Sequence, residues 1–196
     1  TLRVELTGSL RPGTYAKDVI LHLVGALGIA GATYEAVEFA GPTVAGMTLA
    51  SRMVLANMVA EMGAKTALVD TAGLEAQELP APLRERLGAS GPLAELSADP
   101  GASYRAVHRL DVSDLGAQVA VPHLPDNVRD VREVAGVKVD MAFIGSCTNA
   151  RLEDLHVAAA VLRGRKLAPG VRLIVAASSR AVFNAALKDG TVETLS

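Results

Sequence analysis

The segment FIGSCTNARLEDLH, residues 143 to 156, holds the only cysteine of the chain, Cys147, between Ser146 and Thr148. Residues before it are apolar and read as the end of a strand, while those after it have helical periodicity, so the thiol falls on a strand-to-helix turn. In open α/β sheets that place, outside the carboxyl end of a strand, is where ligands bind. Gly145 lets the backbone turn tightly or approach a ligand, and the first amides of the helix favour anionic groups, a thiolate included. Thr148 and Asn149 can cap the helix or donate hydrogen bonds to a bound sulfide or carboxylate, and Glu153 and Asp154 complement its positive start.

Three uses of Cys147 follow from chemistry alone. As a nucleophile it needs a base, for which His123 and His156 are the local candidates. As a metal ligand it needs partners, and one cysteine excludes both an internal disulfide and a complete multi-cysteine metal site within this chain. As a small apolar side chain it needs nothing. His156, inside the helix, reads as a surface or packing residue. A second polar feature is Asn57 and Glu61 in LANMVAEMG, four apart and therefore on one face of an otherwise apolar helix. Their plain reading is a satisfied polar pair, and their alternative reading is part of a site. Arg52, Lys17 and Asp18 read as charges at helix edges and His22 as a solvent-side residue. His108 has no clear place. In AASSR, Ser178 or Ser179 reads first as a helix cap.

The elements that must hold these groups are mostly legible. A strand in TLRVELTGSL, a turn at RPGTY with Thr14 as a cap, a helix over 17–27, a strand in TYEAVEFAG, a buried helix over 47–62 capped by Thr48 and stopped by Gly63, and a strand in AKTALVD give a β-α-β-α-β run. Residues 72 to 110 are weakly periodic and predict short helices and loop. VPHLPDNVRDV carries two prolines and predicts a crossing between domains, placing a first α/β domain at 1–120 and the start of a doubly wound domain at 121–196. That second part repeats strand and helix: VKVDMAFIG, ARLEDLHVAAAVLRG, VRLIVAA and SRAVFNAALKDG. The fold class is α/β with mainly parallel sheets. Its few strands predict a fragment, or a sheet completed by a partner.

Composition narrows the partners. The apolar half of the 196 residues is dominated by Ala, Val and Leu, with three Phe, three Tyr and no Trp, which argues against base stacking. A net charge of -2 from mixed signs offers no basic block for nucleic acid, and no apolar run is long enough for a membrane span. The expected location is the cytoplasm.

FIGSCTNARLEDL resembles the GSCTN signature of the aconitase superfamily. The likeness extends nearly end to end: the stretch from ELTGSLRPGTYAKD to LANMVAEMGAK looks like the matching segment in the large subunits of its 3-isopropylmalate dehydratase and homoaconitase branches. The resemblance implies a hydro-lyase that isomerises a hydroxy acid by dehydration and rehydration. It makes Cys147 the first of three thiolates on a [4Fe-4S] cluster, with Ser146, Thr148 and Asn149 shaping that turn and Asn57 and Glu61 supporting catalysis beside a histidine this chain lacks. It also implies that the other two cluster cysteines lie beyond Ser196 and an Asp-Ser-His substrate motif before Thr1, so the chain reads as an internal piece, inactive alone. The implied partners are a small subunit carrying the swivel domain and a hydroxy di- or tricarboxylate substrate, with no nucleic acid and no membrane. Ala150 departs from the Gly or Ser common after GSCTN. Two readings stand beside this one: a non-catalytic α/β binding or assembly module, and a cysteine-dependent enzyme pairing Cys147 with His123.

Overall fold

Leu2, Val4 and Leu6 alternate with Arg3 and Glu5, and in the computed structural model, which describes residues 1–93 and 96–196, they form strand β1 (Leu2–Thr7) with the three apolar side chains buried. Helix α1 (Ala16–Leu27), strand β2 (Ala36–Ala40), the short helix α2 (Pro42–Ala45), helix α3 (Leu49–Met58) and strand β3 (Thr66–Val69) follow. After helix α4 (Ala81–Leu87) the chain returns as β4 (Ala106–Asp111) on the far side of β1. The sheet order is β3-β2-β1-β4, every pair is parallel, and Leu2 lies opposite both Val37 and Ala106.

Because α1 carries Val19, Ile20, Leu23 and Val24 three and four apart, it presents one apolar stripe, which packs with Leu2, Val4, Leu6, Val37 and Phe39 of the sheet. Val54, Leu55, Val59 and Met62 from the α3 region join the same core. Parallel sheets are usually apolar on both faces, and this one is not. Residues alternating with the core set carry a charged ladder: Arg3 donates to Glu38 at 2.5 Å and to Tyr104 at 3.0 Å, and Arg109 donates to Glu5 at 2.9 Å.

Four local expectations change. Thr14 does not cap α1: its hydroxyl donates to the Leu115 carbonyl, and the Asp18 carboxylate instead accepts from the Tyr15 amide at 2.7 Å. The helix expected over 47–62 is α3 plus a 3₁₀ turn over Val59–Met62, buried on one face only, though Thr48 does accept from Ser51 N and Gly63 does stop it at φ 81°. β4 was hidden in the weakly periodic stretch because His108, Arg109 and Asp111 interrupt the apolar pattern of an edge strand. VPHLPDNVRDV is the turn and second strand of an antiparallel hairpin, β5 (Gln118–Ala120) with β6 (Val128–Asp130).

That hairpin moves the division of the chain. The compact units are Thr1–Ala135 and Gly136–Ser196, whereas the sequence reading divides the chain after residue 120. The reason is a buried carboxylate. Asp18, 8% exposed, accepts from Gln118 N at 2.7 Å through its second oxygen, and Gly25 of α1 leaves room for Val128. Both contacts tie β5 and β6 to α1, a link that no local pattern reveals.

The second unit pairs β7 (Met141–Ile144) in parallel with β8 (Arg172–Val175), and helices α5 (Leu152–Leu162), α6 (Arg180–Lys188) and α7 (Thr191–Leu195) complete it. Ile144 and Val175 face a core built on Ala150, Leu155 and Ala186. Met141, Phe143 and Ile174, on the opposite face, are 56%, 57% and 39% exposed. Among the described residues no helix is long and apolar enough to cross a membrane.

Candidate functional site

Between the end of β7 and the start of α5 the chain must reverse from strand to helix within a few residues. Gly145 lets the Phe143 ring lie against the backbone there; a side chain at this position would have to displace that exposed ring. Ser146 and Ala150 take left-handed backbone angles, φ 97° and 60°, a conformation that costs a non-glycine residue about 1 kcal/mol or more. Three contacts hold the turn. The Ser146 hydroxyl accepts from Thr148 N at 3.2 Å, the Asp154 carboxylate accepts from Asn149 Nδ2 at 3.3 Å, and the Ala150 carbonyl accepts from Ser178 N at 2.9 Å.

Cys147 is exposed at the crown of this turn, with Sγ 3.9 Å from the hydroxyl of the buried Thr148. The last contact brings in the segment that follows β8, where Ser179 caps α6 by accepting from Val182 N at 3.1 Å. The expected cap at Ser178 or Ser179 is thus Ser179. An exposed thiol at the carboxyl ends of two parallel strands suits one ligand position of a larger metal site. Among the described residues no group of three or more His, Cys, Asp and Glu could hold a metal.

In the first unit, Asn57 occupies the last turn of α3 and Glu61 the 3₁₀ turn beyond it, and both side chains are exposed. The other end of α3 is held by a buried side chain. Arg52, 2% exposed, donates from Nε to the Met47 carbonyl at 3.0 Å, from Nη2 to Ala45 and Ala72 at 3.1 and 2.7 Å, and from Nη1 to Asp70. It is a clamp between the entry to α3 and the exit of β3, a role that a charge read at a helix edge does not reveal. Asp18 is likewise structural, Lys17 is exposed and His22 is half-buried on α1, while His108 is half-buried on β4.

Of the histidines offered as bases for Cys147, His123 is exposed in the β5–β6 connection. His156 Nε2 lies 2.8 Å from Asp189 Oδ2, fastening α5 to the end of α6. The Thr191 side chain and amide together with His156 hold the Asp189 carboxyl down at about 2. A depressed carboxyl stabilises the fold above its ordinary value, 3.8, and that contribution is lost as pH falls toward about 2. Denaturant midpoints between pH 4 and 2 therefore fall more steeply in the parent chain than in Asp189→Asn, and equal slopes would refute this.

The sequence matches the model of the aconitase family (aconitate hydratase) over residues 1–196. It is 50% identical to the 3-isopropylmalate dehydratase large subunit 1 of Methanopyrus kandleri, across all of this chain and 45% of that protein. A probable 3-isopropylmalate dehydratase large subunit of Methanothermobacter thermautotrophicus is 48% identical, over 98% of this chain and 45% of its own length. A probable methanogen homoaconitase large subunit of Methanosarcina mazei is 47% identical over the whole chain and 48% of its own length. The chain spans under half the length of these relatives.

Proposed function

Because the chain belongs to the aconitase family, we propose that it is part of the large subunit of a [4Fe-4S] hydro-lyase, one that isomerises a hydroxy acid by removing water and adding it back. The observation that carries this reading is the exposed Cys147 at the crown of a strained turn, inside a match that runs from residue 1 to 196. When bound, the cluster supplies a Lewis-acidic iron that makes hydroxide a tolerable leaving group. Cys147 gives one thiolate to it. Ser146, Thr148 and Asn149 shape the turn around that thiolate, and the amides at the start of α5 favour its negative charge. Asn57 and Glu61 stand on the exposed side of the α3 end, where the Glu61 carboxylate can orient a neighbouring base or share a proton with it and the Asn57 amide can fix a polar group.

The substrate is 3-isopropylmalate, placing the protein in leucine biosynthesis. Homoaconitase of lysine biosynthesis is the second reading, favoured by the relative of that name at 47% identity. The large-subunit names of the relatives support a small subunit as partner, carrying the swivel domain and the base that removes the carbon-bound proton. The site of action is the cytoplasm. The full-length protein, reconstituted with iron, sulfide and its small subunit, is expected to hydrate an isopropylmaleate or homoaconitate standard. Cluster formation without turnover of either would exclude both substrate readings.

In that assembly Glu61→Gln lowers kcat by about 10²–10⁴, the range for a lost proton-transfer partner, while iron content stays at the parent level. Asn57→Ala acts in the same direction. A Glu61→Gln enzyme with parent kcat would remove Glu61 from catalysis.

A further inference from the structure

Asp154 makes two hydrogen bonds of different kinds. Oδ2 accepts from Arg151 N at 3.0 Å, which is ordinary capping of the first turn of α5. Oδ1 accepts from Asn149 Nδ2 at 3.3 Å and so reaches outside the helix into the Cys147 turn. An ionised carboxylate only accepts, so it dictates which end of the Asn149 amide faces it. The amide oxygen is then left on the other side, where Asn149 Oδ1 is buried without a hydrogen-bond partner among the described residues. Such an orphaned acceptor is costly. Capping alone does not require it, since the Arg151 amide uses the other oxygen. The same few residues also hold the positive φ angles of Ser146 and Ala150. A turn kept in so many unfavourable local states must be held by something outside it, and strain of this kind gathers where geometry matters for function.

We propose that Asp154 is the positioning residue of the Cys147 turn: it locks Asn149 and thereby fixes where the thiol is presented. The inference rests on the reading of Cys147 as a cluster ligand, but its test does not use the cluster. Cys147 is the only cysteine in these 196 residues, so thiol modification mapped to it by peptide mass reports on this turn alone. The experiment is the rate of alkylation of Cys147 by iodoacetamide, at one fixed pH, in the full-length protein without iron. Asp154→Ala is expected to raise that rate about fivefold or more, the scale set by one lost hydrogen bond. Asp154→Asn removes the charge but keeps an acceptor, and is expected to stay within about twofold of the parent, as befits a turn still pinned. Asn149→Ala, which breaks the same contact and leaves the cap intact, is expected to behave like Asp154→Ala and gives the answer if that variant does not fold.

An unchanged rate in Asn149→Ala and Asp154→Ala would overturn the proposal. Equal acceleration in Asp154→Asn and Asp154→Ala would also overturn it, because the effect would then be one of charge. Failure of the cluster reading shows elsewhere: Cys147→Ala in the full-length protein would keep its iron, whatever the alkylation rates.

Discussion

Cys147→Ser in the full-length protein is expected to cut turnover by about 10³-fold or more while leaving the fold intact. The first half follows from the ligand role: a Lewis acid that contributes several kcal/mol to the transition state takes about three powers of ten with it when it is lost. The second half follows from exposure. The thiol is exposed, and surface substitutions of this kind change stability by about 0.5 kcal/mol or less. Bound iron per chain, kcat and a urea midpoint on the same preparation check both halves together. A variant that loses activity only because it unfolds would leave the role of Cys147 without support. One that keeps iron and activity would end the cluster reading.

The largest expected effect on stability lies in the other unit, at Arg52. Its guanidinium serves four backbone carbonyls, those of Ala45, Met47, Asp70 and Ala72, and among the described residues it makes no salt bridge. Burial pushes its pKa below the usual arginine value, with Glu78 and Asp70 opposing that shift. Arg52→Met fills the space but leaves the carbonyls without their donors, and is expected to cost about 3–5 kcal/mol, several unsatisfied buried acceptors at about 1–3 kcal/mol each after partial relaxation. Arg52→Lys keeps the charge and loses the planar fork, so it recovers only part of this. The urea midpoint of the chain reads both. A loss under about 1 kcal/mol in Arg52→Met would mean that water replaces the arginine without penalty, contrary to its burial.

Much of the fold is readable residue by residue, and the parts that are not share a cause. β1, β2, β3, β7, β8 and the helices α1, α5 and α6 announce themselves through periodicity, because each buries a face against neighbours close in sequence or in a repeated pattern. β4 and the β5–β6 hairpin do not: polar residues interrupt the apolar pattern of β4, and the hairpin is held by contacts across the chain, such as Gln118 to Asp18. The turn of the candidate site was legible as a place: Gly145, Cys147 and the start of α5 identify it. Its internal geometry was not. Left-handed angles at Ser146 and Ala150 and the orphaned Asn149 oxygen arise from competition among several contacts, which no spacing rule encodes. Arg52 was misread for a related reason. Sequence shows a charge on a helix, and only the carbonyls gathered around it show that the charge is buried.

The placement of β1 between β2 and β4 also sets the order in which the first unit can be made. During synthesis one edge of β1 finds β2 within a few dozen residues, but the other waits for β4, and the Arg109–Glu5 pair that spans this seam joins residues 104 apart. At ribosomal rates of about 5–20 residues per second, that edge stays open for about 5–20 s. An unpaired strand edge beside the apolar face of the sheet invites pairing with a neighbouring nascent chain. Slowing translation between residues 70 and 105 should therefore lower the soluble yield of the first unit.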